Sequence, residues 1–191
     1  MMAQLKKVLA ARGKLHVEEP GRVPAAVLVP VYEDGGGYHI VFIRRTQMVK
    51  THKGQISFPG GARESCDRTL QDTAIRESAE EIGLQPDDVE VLGELDDELT
   101  ATSNYVVTPF VAAMPWPYRF AINAGEVDEI ITVPVRSLLE KGCLVPATEL
   151  LDDAVVDSYA YRYGGLLIWG ATARILYGLL SVIAAIPGRT L

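Results

Sequence analysis

Residues 60–84 read GGARESCDRTLQDTAIRESAEEIGL. The double glycine Gly60–Gly61 marks a loop where the backbone needs positive φ or close approach. From Thr69 to Ile82 there is no Pro or Gly, and most residues are good helix formers, which predicts a helix. Asp67 or Thr69 can cap its start, and Thr69 with Asp72 three residues on has the form of a capping box. Gly83 supplies the stop. Leu70, Ala74, Ala79 and Ile82 make up much of one buried face, with Ile75 and Ser78 near its border.

Glu77, Glu80 and Glu81 fall on one surface of that helix at i, i+3 and i+4. Like charges so placed cost roughly 0.2–0.5 kcal/mol per pair, and the macrodipole disfavours anions near a helix C-terminus. A hard divalent cation removes the conflict, because Mg²⁺ takes oxygen ligands from a few carboxylates together with substrate phosphates and water. In isolation the same residues read as a solvated acidic face with Arg76 paired to Glu80. The glycine loop shifts the weighing, since it enters from a strand-like run and offers carbonyls to a metal. A basic cluster leads into it: Arg44, Arg45, Lys50, His52 and Lys53 lie within ten residues of a chain whose net charge is −7. Such a cluster suits a polyanionic ligand, although on its own it also reads as a solvated loop.

The stretch resembles the Nudix box, G-x5-E-x7-R-E-U-x-E-E-x-G-U, where U is bulky and apolar. Arg76, Glu77, Glu80, Glu81, Gly83 and Leu84 match its second half. Ser78 sits at an apolar position. Counted from Gly61, Asp67 stands where the early Glu belongs, with eight residues rather than seven before Arg76.

A second resemblance is to the coenzyme A pyrophosphatase branch of that superfamily, whose signature is L-L-T-x-R-[SA]-x3-R-x3-G-x3-F-P-G-G. Arg45, Gly54, Phe58, Pro59, Gly60 and Gly61 match at the right spacing. Lys50 replaces an Arg, Thr46 replaces Ser or Ala, and Val41-Phe42-Ile43 replaces L-L-T. The run SNYVVTPFVA resembles another segment of the branch and points to Ser103, Asn104 and Tyr105 as pocket residues. Asn123 to Val127 looks like its N-x-x-E-V segment, which makes Glu126 a candidate to ligate metal or deprotonate water; an ordinary acid at an element's N-terminus is the other reading. With IWGATARIL, the resemblance covers about residues 23–184.

The resemblance implies an α/β fold, the Nudix α/β/α sandwich, with a mixed β-sheet and the box as loop–helix–loop over about residues 60–84. It implies a single domain over 1–191 with an N-terminal extension over 1–22. The implied catalytic residues are Glu77, Glu80, Glu81, Arg76 and Glu126. Mg²⁺ or Mn²⁺ would be held by Glu77, Glu81, Glu80 and the Gly61 carbonyl. Substrate would be held by Arg44, Arg45, Lys50, His52, Gly60 and Gly61. The implied reaction is hydrolysis of coenzyme A or its derivatives to 3′-phospho-AMP and (acyl-)4′-phosphopantetheine, and a homodimer is expected by analogy only. Residue pattern alone stops at a metal-dependent pyrophosphohydrolase. It leaves open another substrate such as ADP-ribose, NADH or a dinucleotide, and also a non-catalytic nucleotide sensor.

The 191 residues suit one domain with a full-sized core. A net charge of −7 argues against a general nucleic-acid surface and against RNA 5′-end processing. Cys66 and Cys143 are too few for a disulfide scaffold, and no signal-peptide pattern is present, so a cytoplasmic location is expected. Residues 170–185 form an apolar helix too short to span a bilayer and interrupted by Arg174, which is expected to pack on the sheet, in part at a dimer contact. Strands are expected over 23–32, 38–44, 89–95, 106–113, 118–122, 130–135 and 166–169, with short helices over 3–12 and 136–141. Asp96-Asp97-Glu98 reads as a solvated acidic loop.

Overall fold

A computed structural model describes residues 1–48, 53–152 and 154–186. Lys50 and His52 therefore lie outside the described residues. The centre of the main sheet is the hairpin β1 (Val23–Asp34) and β2 (Gly37–Arg45), turning at 35–36 as its Asp-Gly-Gly run predicts. Short strands β3 (Ile56–Ser57) and β4 (Gly60–Ala62) precede helix α2 (Leu70–Ile82). Strands β5 (Glu90–Glu94), β6 (Glu98–Leu99), β7 (Tyr105–Ala113) and β8 (Val127–Pro134) complete the sheet. β7 runs parallel to β1 and the other pairings are antiparallel, so the sheet is mixed.

Both faces of β1, β2 and β7 are apolar, as strands buried on both sides require. Val29, Val31, Ile40, Phe42 and Val111 face one core, beneath α1 (Met2–Ala11) and α4 (Gly170–Ala184). Ala26, Leu28, Val41, Ile43 and Phe110 face the other, beneath α2. The result is the expected α/β/α sandwich. A second, three-stranded antiparallel sheet of β9 (Leu144–Leu151), β10 (Ala154–Tyr163) and β11 (Leu166–Ile168) follows the short α3 (Val135–Leu138) and packs against α4.

Proline in a central strand removes a ladder donor. Here one edge of β1 pairs with β4 at Ala25–Val27 and with β2 from Val31 onward, and Pro30 falls in the gap. That change of partner opens the sheet where Gly60 and Gly61 approach β1.

Two local expectations are corrected. Residues 118–122 are irregular, although Tyr118, Phe120 and Ile122 alternate. Their backbone serves the end of α2: the Ala121 N–H donates to the Ile82 carbonyl at 2.9 Å, and the Asn123 N–H to that of Glu81 at 2.9 Å. Residues 96–98 are not a solvated loop. Asp97 is buried, and Glu98 lies on β6 and pairs with Arg174 at 2.8 Å. The N-terminal helix packs on the body, with Leu5 and Leu9 buried and Leu9 lying over Gly93. Among the described residues, no helix is long and apolar enough to cross a membrane.

Candidate active site

Helix α2 carries the site, and its ends are fixed locally. The Asp72 N–H donates to the Thr69 hydroxyl and the Thr69 N–H to the Asp72 carboxylate, both at 3.1 Å, closing the expected capping box. Gly83 ends the helix at φ 69°, a left-handed conformation that favours glycine. Ser78 is buried, and its hydroxyl donates to the Ala74 carbonyl at 2.7 Å, so it fits an otherwise apolar position.

The glycine loop passes under this helix. A Cβ on Gly60 would run into the Ala26 carbonyl oxygen, and one on Gly61 would lie 2.6 Å from the Glu77 carboxylate. The backbone therefore comes as close to the carboxylates as it can only because both residues are glycine. The Gly60 N–H donates to Glu81 Oε2 at 3.0 Å, and Arg45 Nη1 donates to Glu81 Oε1 at 3.2 Å. Glu81 is almost completely buried. Burial pushes its carboxyl up to about 7 against the pull of the Gly60 N–H and Arg45, with the charges of Glu77 and Glu126 adding to the rise. Glu77 is also raised, first by burial, with Arg76 opposing and Glu80 and Glu126 assisting.

Arg76 is the hub of the loop side. Its Nη1 reaches Glu77 at 2.8 Å and Glu80 at 3.1 Å, while its Nε and Nη2 grip Asp67. The Glu80 side chain is the exposed member of the trio. Glu126 sits in the turn before β8. That turn is tied to the end of β2 by Thr46, whose N–H donates to the Glu126 carbonyl at 2.9 Å and whose hydroxyl donates to the Gly125 carbonyl at 3.1 Å. Asn123 Nδ2 donates to Glu126 Oε1 at 3.2 Å, so Asn123 links the end of α2 to Glu126. The N-x-x-E-V segment contains Asn123 and Glu126, but the pattern alone gives Asn123 no task. Arg44 stands apart. The register of β2 against β8 shifts between Arg44 and Arg45, and Arg44 pairs with Glu129 at 2.7 Å.

Five carboxylates, Asp67, Glu77, Glu80, Glu81 and Glu126, thus surround two guanidinium groups, Arg45 and Arg76. The donors are hard oxygens and their charge is in excess, which is the chemistry a divalent cation satisfies. Among the described residues, no three His, Cys, Asp or Glu side chains form a ready-made cage. Glu77 and Glu81 are held by the guanidinium groups of Arg76 and Arg45 instead.

A cavity of about 450 Å³ opens beside this cluster. Arg45, Gly60 and Gly61 form its inner end, and Ser103 and Tyr105 line it. Asn104 is turned away, its Nδ2 donating to the Gly21 carbonyl at 2.9 Å. The wall formed by Thr148–Leu150 and Trp169–Thr172 was not foreseen from the sequence.

Residues 22–161 match the NUDIX domain family. A protein of Pectobacterium atrosepticum named "Uncharacterized Nudix hydrolase NudL" is 33% identical over 163 residues, covering 85% of this chain and 84% of its own. Its namesake in Citrobacter koseri is 29% identical over 183 residues, covering 96% and 94%. Among solved structures, a MutT/nudix family protein from Enterococcus faecalis aligns with a TM-score of 0.57 at 13% identity, over 96% of this chain and 70% of that one. A Nudix hydrolase from M. smegmatis, RenU, aligns at 0.55 with 20% identity, over 89% and 91%. These two structures support the fold. The chain belongs to the Nudix family.

Proposed function

We propose that this Nudix pyrophosphohydrolase, whose substrates are nucleoside diphosphates linked to another group, acts on coenzyme A and its acyl derivatives. The products are 3′-phospho-AMP and (acyl-)4′-phosphopantetheine. The observation that carries the reading is the cavity that opens between Arg45 and Gly61, directly beside the carboxylates of Glu77 and Glu81. A diphosphate held at the carboxylates has room beside it for a large substituent. The signature residues support the same reading: Phe58 stacks on Phe42 at 4.7 Å, and the Gly54 N–H donates to the Arg45 carbonyl at 3.0 Å. Gly54 and Phe58 are thereby fixed against β2.

In this reading Glu77 and Glu81 hold Mg²⁺ or Mn²⁺, with Glu80 and the Gly61 carbonyl as further donors. The cation supplies charge neutralisation at the diphosphate and lowers the pKa of water. The chain's own residues position the parts, which is the main demand of phosphoryl chemistry. Arg76 sets the Glu77 carboxylate, and Gly60 and Arg45 set that of Glu81. Glu126 takes the proton of the attacking water at its carboxylate. Arg45 neutralises a substrate phosphate, and Arg44, Lys50 and His52 are the further cations of the same reading.

The test is mass spectrometry of products after incubation with Mg²⁺ and a mixture of coenzyme A, ADP-ribose and NADH. Selective release of 4′-phosphopantetheine and 3′-phospho-AMP is expected. Preferred cleavage of ADP-ribose or NADH would keep the chemistry and overturn the substrate. Binding without turnover in either metal would favour a nucleotide sensor.

A further inference from the structure

We propose that the cavity between β9 and the start of α4 takes the neutral pantetheine arm of the substrate, leaving the 3′-phosphorylated nucleotide outside it. This inference rests on the coenzyme A reading above. That reading fixes the bond cleaved but not which half of the molecule enters the protein.

Size and position make the cavity part of the substrate site. Its volume of about 450 Å³ falls within the roughly 300–1,000 Å³ typical of small-molecule pockets. Its inner end is formed by Arg45, Gly60 and Gly61, the groups that touch Glu81 and Glu77. One of the two groups attached to the diphosphate must therefore face into it.

Charge decides which one. Arg45 is the one Lys, Arg or His side chain lining the cavity among the described residues, and it is already paired with Glu81. On the far wall stands Glu149, which shares the Arg174 guanidinium with Glu98. Two carboxylates against one guanidinium leave that wall net negative, and all three side chains are largely buried. A phosphomonoester carries about −1.5 to −2 charges near pH 7. It would have to shed its water beside an excess of negative charge with no free cation lining the cavity among the described residues, which is strongly unfavourable. The 3′-phosphate is thus kept out of the cavity.

The pantetheine arm meets no such obstacle. It is uncharged, with two amides, a hydroxyl and a dimethyl group on an extended chain. Tyr105, Trp169 and Ile175 offer apolar surface along the cavity, and Thr148 and Thr172 offer hydroxyls. Buried amides need hydrogen-bond partners, and hydroxyls can both give and accept. Trp169 and Leu150 line the cavity and are solvent-exposed, so an acyl group on the thiol end would find apolar surface there.

The experiment measures inhibition by each product separately, in the unaltered protein and in two cavity variants, Ala171→Trp and Thr148→Trp. Both residues line the cavity, and Thr148 is exposed on β9, so at least that variant leaves the core untouched. The inhibition constant of 4′-phosphopantetheine should rise about tenfold in each variant, and that of 3′-phospho-AMP by less than twofold. The reverse pattern, a uniform rise for both products, or no change for either would overturn the placement while leaving the cleavage reaction standing. Failure of the unaltered protein to cleave coenzyme A would overturn the substrate reading and this inference with it. A thermal melt of each variant confirms that a folded protein was assayed.

Discussion

Asp67 and Arg76 face each other across the box loop in a two-pronged ion pair, with Nε to Oδ1 and Nη2 to Oδ2 both at 3.0 Å. The remaining capacity of Asp67 is also used. The Glu64 N–H donates to Oδ2 at 2.9 Å and the Thr73 hydroxyl at 3.0 Å. The Arg76 guanidinium, assisted by these donors, holds the Asp67 carboxyl far below the ordinary carboxylate range. Because the same guanidinium also grips Glu77, the pair fixes the loop and the helix as one unit.

Removing Asp67 should therefore be costly. Asp67→Ala leaves Arg76 mostly buried with its principal counter-charge gone, and breaking such a pair costs about 3 kcal/mol. Urea denaturation at pH 7 should show that loss. Turnover should fall as well, because Glu77 loses the fixed guanidinium that orients it. A variant with unchanged stability would mean that the pair is decorative.

Glu81→Gln separates stability from catalysis. It should lower kcat by about 10²–10⁴-fold, the range for losing an essential acid–base or charge-stabilising group. Burial raises the folded Glu81 carboxyl to about 7, above its ordinary value of 4.5. Stability linked to the neutral form is thus full below 4.5 and is lost as pH rises through about 7. The amide carries no such penalty. At pH 8 without metal the variant should melt at or above the temperature of the unaltered protein. A lower melting temperature there would show that the Gly60 and Arg45 contacts outweigh burial.

The box helix, its cap and its stop were legible in the sequence because each depends on residues within one or two turns. The carboxylate trio was legible as a set but not in its division of labour. Glu81 is buried against Gly60 while Glu80 is exposed, and the spacing alone treats them alike. Asp67 was ambiguous because it sits one residue out of phase with the family pattern. Its identity as the Arg76 partner emerges only from the loop's path. Residues 118–122 alternate like a strand, yet their N–H groups are taken by the last carbonyls of α2, a tertiary choice with no local sign. The cavity was beyond reach for the same reason. Its walls come from β4, the segment before β7, β9 and α4, which meet only in the folded chain.

The Arg174 cluster gives a prediction with its own internal control. Burial raises the Glu98 carboxyl, and Arg174 opposes that rise. Arg174→Met strands Glu98 and Glu149 as buried anions and should cost about 3 kcal/mol at pH 7. The Glu98 part of that penalty exists only while its carboxyl is ionised, and without Arg174 the folded Glu98 carboxyl rises further. The loss should therefore shrink as pH falls from 7 to 5 in urea titrations of variant and unaltered protein. A loss that is equal at both pH values would assign it to lost packing of the arginine stem rather than to charge.

Asp97 ties the N-terminal segment to the sheet, and its titration can be followed as a property of that contact. Its carboxylate accepts from the Thr108 hydroxyl at 2.6 Å and the Val17 N–H at 3.1 Å, and pairs with Lys14 at 3.0 Å. Burial pushes the carboxyl up, but the Thr108, Lys14 and Val17 interactions together outweigh it and hold the group below its ordinary value. A depressed folded value means that stability is fully present above the unfolded value, near 3.9, and is lost as pH falls through the lower folded one. Asp97→Asn should thus cost about 2 kcal/mol at pH 7, in the range for hydrogen bonds to a charged group. The gap between variant and unaltered protein should narrow below about pH 4. Hydrogen exchange gives the local readout: in the unaltered protein at pH 7 the amides of residues 14–17 should be less protected than the centre of β2, and the variant should lower their protection further. Equal protection in both places would mean that the segment opens only when the whole molecule unfolds.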